Sequence, residues 1–514
     1  MNRPSVLALP HRWLQNLIQL REKHPPSFGA VLCVACFVGF ARTELELLIL
    51  GRPGSTAASL VNNVAFYLHV AYLFGLLAAR VTKKPLASVL GVVLVGVFVG
   101  VLPPILDLLL FGVGAGRYTY VGGGLANWKW SLIDPAHFSV GESIVLWLVV
   151  VLLTIYVAEV TRSLARTALA AVGAYAVVVF ISLGPSSIVD AVLPTNRGAT
   201  SAQQLGLLSA VQLLVAQVAY LGARGELFRR VFVRMPHSFP FVALVFLGSS
   251  VSALYAPSVA TSTRLWITAV LALTIAQFCV TALVQNDAFD LREDRGRSAA
   301  DVTREDAYFF TAMALVTVFA ALAVSALVAA PLAIFLTASF VYSFPFYRGK
   351  RFFPTNYKCE GVWAWSSFVL GASVTPLVVY RLKPSAPFLF ASFLVFGGFS
   401  VFNAFKDYKD IRADYRAGNQ TLYVLALKRG VRLRPLHRAL SVAFLASLLI
   451  APALLFVTGG VSALWAIVPC ATLPLLARAI FGPPRGSSVR AFLLGITLYL
   501  VALIVSIELG GGMT

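Results

Sequence analysis

The chain has 514 residues, of which 59% are hydrophobic and only 12% charged, and its mean hydropathy is +0.84. A soluble domain carries about 25% charged residues, so this balance excludes an ordinary globular protein, and apolar runs without polar alternation exclude a β-barrel. The formal charge of +20 raises the question of a nucleic-acid ligand, but none is expected, because the basic residues are distributed as membrane topology and attraction to anionic lipid distribute them.

A polar tail of more than twenty residues precedes the first apolar run, so no cleavable signal is expected there. Six spans are predicted near 28–50, 58–80, 86–112, 142–160, 167–189 and 203–223, each long enough to cross hydrocarbon as a helix. In the first, Cys33-Val34-Ala35-Cys36 has the spacing of redox and zinc sites but no second ligand pair, and it reads as small packing residues. The five cysteines make no disulfide framework. Arg42 and Glu46 are spaced for an intrahelical ion pair. With Glu44, His69 and Asp107 they are ionisable groups at apparent membrane depth, where such residues suggest function by default. Pro103-Pro104 should kink the third span. The connection 113–141, with Trp128 and Trp130, suits the headgroup region.

The basic stretch Arg224 to Arg234 separates a first domain, residues 1–226, from a second, 227–514. Nine spans follow, near 238–256, 265–286, 306–328, 330–346, 362–380, 386–405, 438–457, 462–478 and 490–508. The turn between the third and fourth is expected at Ala329-Ala330-Pro331. Lys and Arg concentrate on alternate connections along the whole chain. By the positive-inside rule, this places the N-terminus in the cytoplasm and, after fifteen spans, the C-terminus on the opposite side.

Two acidic stretches interrupt this apolar pattern, Asn286-Asp287-Ala288-Phe289-Asp290-Leu291-Arg292-Glu293-Asp294 and Asp407-Tyr408-Lys409-Asp410-Ile411-Arg412-Ala413-Asp414. Each spaces its aspartates at i, i+3 and i+7, which brings all three to one helix face. Both are expected at the cytoplasmic ends of helices, where they can face one cavity. Like charges gathered at a membrane edge need compensating cations. Oxygen donors with no His or Cys companion select a hard ion, and Mg²⁺ bridges carboxylates to substrate phosphates. The alternative is a pair of solvated loops whose carboxylates pair with Arg292, Arg295, Lys409 and Arg412.

From about Arg234 onward the sequence resembles the UbiA superfamily of intramembrane prenyltransferases. Asn286, Asp287, Asp290 and Asp294 match the family's NDxxDxxxD pattern. Asp407, Asp410 and Asp414 match its second acidic motif, followed by Gly418-Asn419-Gln420-Thr421-Leu422. Arg234-Met235-Pro236-His237 and Tyr342-Ser343-Phe344-Pro345, leading into Arg348-Gly349-Lys350-Arg351, are lesser matches. The family's Arg-Pro pair after the first motif is replaced by Arg295-Gly296-Arg297, which leaves the acceptor open.

The resemblance implies an all-α integral-membrane fold, a nine-helix bundle here preceded by about six further transmembrane helices. It implies that the six aspartates bind Mg²⁺, two ions with the diphosphate, and that a prenyl group passes from a polyprenyl diphosphate to a lipid-soluble acceptor, expected to be aromatic, with release of pyrophosphate. Asp287, Asp290, Asp407 and Asp410 are the expected catalytic carboxylates. Asn286, Arg348, Lys350, Arg234 and Tyr342 are the expected substrate contacts, and Phe289, Phe405 and Tyr408 are further aromatic candidates for shielding a carbocation. The same fold can act as a terpene cyclase or a lipid phosphoribosyltransferase. From another class, a transporter would need polar groups near the midplane of several helices. Residues 1–226 have no counterpart in that resemblance, and their protein partner, if any, is unknown.

Overall fold

A computed structural model describes residues 15–16, 18–20, 22–50, 56–112, 139–192, 200–255, 261–289, 302–345, 347–375, 386–458, 460–481 and 486–510. The connection with Trp128 and Trp130, the aspartates Asp290 and Asp294, and Arg292, Arg295 and Arg297 lie outside them. The described residues are helical almost throughout, with one isolated β-bridge between Phe352 and Gln420. The protein is an all-α membrane protein, and it divides into two compact units, Met1–Phe228 with Phe319–Val324, and Arg229–Val318 with Ser325–Thr514.

The first unit is built from α1 (Phe28–Leu50), α2 (Thr56–Thr82), α3 (Leu86–Val97), α4 (Leu102–Phe111), α5 (Val140–Thr161), α6 (Leu164–Val192) and α7 (Ser201–Ala223). Its core joins Phe74 and Ala78 of α2, Val89 of α3, Leu153 and Val157 of α5, and Ala170 and Ala174 of α6. The break between α3 and α4 is a 3₁₀ turn at Phe98–Val101, immediately before the expected proline pair. Pro104 has no N–H for the carbonyl four residues earlier. That carbonyl, of Gly100, instead accepts the Tyr67 hydroxyl at 2.8 Å. The expected Arg42–Glu46 pair is present at 2.5 Å, and Arg42 also meets Glu142 at 2.6 Å. Cys33 and Cys36 sit on the outer face of α1 instead of packing inside. A helix that is apolar all round carries no signal of which side faces a neighbour.

The second unit takes in the end of α8 (Gly225–Arg234) and then α9 (Phe239–Tyr255), α10 (Thr261–Phe289), α11 (Arg304–Val324, whose last turn belongs to the first unit), α12 (Ala326–Ser343), α13 (Thr355–Ala372), α14 (Ala386–Ala417), the short α15 (Leu422–Lys428), α16 (Leu433–Val457), α17 (Ala463–Ile467), α18 (Leu473–Phe481) and α19 (Gly486–Gly510). Among the described residues a helix is present at each of the nine expected spans, with α17, a 3₁₀ turn and α18 together occupying one of them. The α11–α12 turn falls at Ser325, earlier than expected: Ser325 caps α12 by accepting from Leu327 N at 3.1 Å, and Pro331 rides inside the helix. A serine that satisfies an orphan N–H fixes a helix start more firmly than a nearby proline does.

The helices of this unit are joined by polar ties as well as apolar packing. Gln277 and Gln285 of α10 donate to Thr317 and Thr311 of α11 at 3.0 and 2.7 Å. Arg264 of α10, 5% exposed, meets Glu508 of α19 at 2.6 Å. At one crossing there is no side chain between the helices at all: Gly248 of α9 and Gly371 of α13 bring the two backbones into contact. Among the described residues thirteen helices are long and apolar enough to cross a membrane, where fifteen crossings were expected. Of the two remaining expected spans, α13 loses apolar character to Asn356, Lys358 and Glu360, and α14 carries a shorter described apolar run, Phe388–Val401. Those polar residues bear on the site.

Candidate active site

The first acidic motif forms the end of α10. Asp287 is 7% exposed, and a carboxylate so placed needs a cation beside it. Arg230 and Arg234, one helical turn apart on the amphipathic α8, supply two. Arg230 Nε meets one carboxylate oxygen at 2.7 Å, and Arg234 Nη1 pairs with the other. The spacing of four residues puts both guanidinium groups on one face, so a single helix turn clamps the carboxylate. Phe289 is buried, with its ring 4.8 Å from that of Phe344.

The segment from Arg348 to Asn356 ties this motif to the second one. At its start Arg348 donates to the carbonyl of Phe289 at 2.7 Å, and Lys350 Nζ lies 3.4 Å from Asn286 Oδ1. Three residues on, Gln420 N donates to the Arg351 carbonyl at 2.6 Å and Phe353 N donates to the Gln420 carbonyl at 2.9 Å. Asn356, at the start of α13, donates to Asp407 Oδ2 at 3.0 Å. Nine consecutive residues thus touch both acidic motifs. The chain turns into this segment at Arg348, which has a φ of 48°. A non-glycine residue in that left-handed region costs about 1 kcal/mol or more, and the surrounding hydrogen bonds hold it there.

The second motif lies in the last turns of α14. Asp407 is 8% exposed, Asp410 is half-buried, and Asp414 accepts from Asn419 Nδ2 at 2.9 Å. Tyr408 stacks on His437 of α16, with ring centroids 3.9 Å apart and planes 7° from parallel, and Tyr423 Oη lies 3.0 Å from His437 Nδ1. Burial, with the charge of Asp407, raises the Tyr423 phenol above its ordinary range. It therefore keeps its proton and can donate to His437. This aromatic tie fixes the motif-bearing end of α14 against α15 and α16. Phe405, one turn before, packs on Phe444 and Phe492.

An apolar cavity opens further along the same helices, lined among others by Leu247, Phe368, Leu394, Phe399, Phe444 and Leu500. Phe399 and Asp407 lie on one helix, roughly 12 Å apart along its axis at 1.5 Å per residue. Tyr342 is buried against Trp363, at 5.0 Å between rings.

Asn286, Asp287, Arg234, Arg348 and Lys350 gather around the first motif, and Asp407, Asp410 and Asp414 share the second. Sequence reasoning missed Arg230, Asn356 and Asn419. Arg230 had a readable signal in its spacing from Arg234. Asn356 had none, because it acts through a carboxylate 51 residues away that only the folded chain brings near; Asn419 stands five residues after Asp414, inside the Gly418–Leu422 element, but was given no role of its own.

Among the described residues no three His, Cys, Asp or Glu side chains converge as a ready metal cage. The donor chemistry nevertheless fits a hard cation. Asn356 and Asn419 each give their amide N–H to a motif aspartate, and each has a buried Oδ1 with no hydrogen-bond partner in the structure. Buried polar atoms are rarely left so, and carbonyl oxygens beside carboxylates are the ligands that Mg²⁺ and Ca²⁺ take. Replacing Asn356 by Leu is expected to remove one buried hydrogen bond from Asp407 and to destabilise the protein by about 1–3 kcal/mol, measured as a lower unfolding temperature in detergent.

An all-α membrane bundle with two acidic helix ends, bridged by a basic segment and set above an apolar cavity, has the layout of an enzyme acting on a lipid with a charged head. The model of the UbiA prenyltransferase family matches residues 242–505, just over half of the chain, and the chain belongs to that family. No curated protein and no solved structure matches the chain.

Proposed function

We propose that the second unit transfers the prenyl group of a polyprenyl diphosphate to a hydrophobic acceptor, aromatic in type, in a Mg²⁺-dependent reaction. The observation that carries this reading is the Arg348–Asn356 segment, which holds basic side chains at one acidic motif while hydrogen-bonding to the other. Family membership supports intramembrane prenyl transfer in general. The metal is inferred from the donor chemistry of the acidic motifs, and the polyprenyl donor and aromatic acceptor follow from the resemblance to the family.

In this reading Asp287, Asp290 and Asp294 on one side, and Asp407, Asp410 and Asp414 on the other, would hold Mg²⁺. The ion would neutralise charge on the departing diphosphate. Arg348 and Lys350 meet phosphate oxygens that remain unmatched, and Arg234 is placed to trade its carboxylate for phosphate. The allylic C–O bond breaks with its electron pair leaving on pyrophosphate. The acceptor supplies the pair for the new bond to the prenyl carbon and loses a proton. The apolar cavity excludes water from the cation, and the aromatic rings nearby present faces that stabilise it. Lysine and arginine placement puts the motifs and the N-terminus on the cytoplasmic side and the C-terminus opposite.

The purified protein, given Mg²⁺ and a series of prenyl diphosphates, is expected to release pyrophosphate, and removal of the metal with EDTA is expected to abolish release. A product whose mass is that of acceptor plus prenyl group establishes transfer. A product with the mass of a prenyl hydrocarbon alone would instead assign cyclisation, and release unaffected by EDTA would exclude the metal.

A further inference from the structure

The reaction proposed for the second unit takes a proton from the acceptor, and few side chains can receive it. The aspartates of the two motifs face the diphosphate in that reading, and Asp287 already neutralises Arg230 and Arg234. Glu293 and Asp301 fall in the connection after α10, and Glu305 and Asp306 in the first turn of α11. Glu508, at the far end of α19, is held by Arg264 at 2.6 Å. Of the two histidines in this unit, His237 is exposed in the turn before α9. His437 has its ring covered by Tyr408 and its Nδ1 engaged by Tyr423. One carboxylate remains, Glu360 of α13.

Glu360 is 8% exposed, and a carboxylate inside a membrane bundle is costly enough to point to function. It stands four residues after Asn356, so both side chains leave the same face of α13, and Asn356 reaches Asp407 of α14 at 3.0 Å. The charge of Glu360 also reaches the Cys279 thiol of α10. Glu360 thus lies between the two helices that carry the acidic motifs. Along the α13 axis it is roughly 6 Å inside Asn356. Trp363, three residues further in, packs on Tyr342 at 5.0 Å and stacks on Phe335 at 5.8 Å between rings. From the motifs inward the order is therefore diphosphate-binding carboxylates, then one further carboxylate, then aromatic rings. A donor held by its diphosphate at the motifs has its allylic carbon one turn inside them, at the level of Glu360.

We infer that Glu360 is the base that takes the acceptor's proton, an assignment that rests on the prenyl transfer proposed above. The acceptor ring gives a π pair to the allylic carbon, and the C–O pair leaves with pyrophosphate. The ring C–H pair then returns to the ring, its proton passes to a carboxylate oxygen of Glu360, and Glu360 gives it to water as the product leaves. Before that transfer the same carboxylate counters the positive charge of the allylic centre in a site that excludes water.

The test uses the full-length protein in phospholipid nanodiscs with Mg²⁺, a series of prenyl diphosphates and a set of phenols and hydroquinones, with product and pyrophosphate both quantified. The parent is expected to form prenylated phenol and pyrophosphate in equal amounts. Glu360→Gln, which keeps the shape of the side chain, is expected to lower prenylated product about a hundredfold or more. Its Mg²⁺ requirement should be unchanged, and its pyrophosphate release should exceed product, because water captures the cation that the acceptor fails to keep. Glu360→Ala is expected to lose product likewise and to recover about tenfold with added formate, but not with formamide, which has the same size and no charge. Recovery by formate also shows that the variant is folded. Prenylation by Glu360→Gln at the parent rate, or rescue of Glu360→Ala by formamide as well as by formate, would overturn Glu360 as the base and leave prenyl transfer standing. Loss in both variants with a lowered unfolding temperature and no rescue by formate would make Glu360 a structural residue and overturn the assignment. A parent that consumes the donor and prenylates none of the acceptors would overturn the transfer, and the base with it.

Discussion

Asp407→Asn is expected to reduce pyrophosphate release by about a thousand-fold, the scale on which a single group that stabilises transition-state charge contributes. The substitution keeps the shape of the side chain and an oxygen that can accept from Asn356, so the hydrogen bond at the start of α13 survives and the fold with it. What is lost is the formal charge. An amide beside a diphosphate cannot hold a divalent ion as a carboxylate does, and the loss should appear in kcat and in the Mg²⁺ concentration needed for half-maximal rate. Asp287→Asn should be as inactive but less clean, because it also removes the partner of Arg230 and Arg234 and leaves two guanidinium groups facing a neutral side chain. If Asp407→Asn released pyrophosphate at the parent rate, with Mg²⁺ dependence unchanged, the second motif would have no part in the reaction.

That experiment can be designed from sequence because the acidic motifs are legible there. Three aspartates at i, i+3 and i+7 in an apolar chain have few structural uses, and two such sets point to one ligand. The crossings are legible too, since hydropathy and length decide them. Less legible is which way each helix faces. Cys33 and Cys36 sit on the outer face of α1, and nothing in a helix apolar on all sides gives that away. Ser325 ends one helix and starts the next in a stretch where Pro331 gives the louder local signal, because proline is tolerated early in a helix and a serine cap is only a hydrogen bond. Asn356 is the deeper case. It is a single amide with no motif of its own, and its part in the candidate site exists only once the Arg348–Asn356 segment has folded between the two acidic ends.

The crossing of α9 and α13 gives the prediction with the largest effect on stability. A Cβ at Gly371 would lie 1.8 Å from the carbonyl oxygen of Val245, and one at Gly248 would lie 1.9 Å from that of Phe368. Both obstacles are backbone, so no side-chain rotation relieves them, and the helices would have to separate. In a membrane, where hydrocarbon outside the bundle is as apolar as the interior, close van der Waals contact across small residues is what holds such a pair together. Gly371→Ala should therefore destabilise the protein by about 3 kcal/mol, in spite of alanine's better helix propensity. Gly397 on α14 is the matching control, since nothing lies within 4 Å of a Cβ built there. Gly397→Ala should be neutral or stabilising by about 0.5–1 kcal/mol. Thermal unfolding of both variants in one detergent reads the contrast directly. Equal unfolding temperatures would mean that the two backbones do not meet at Gly371. A lower temperature for Gly371→Ala, with prenyl transfer falling in step, would tie the helix that carries Asn356 to the close packing that positions it.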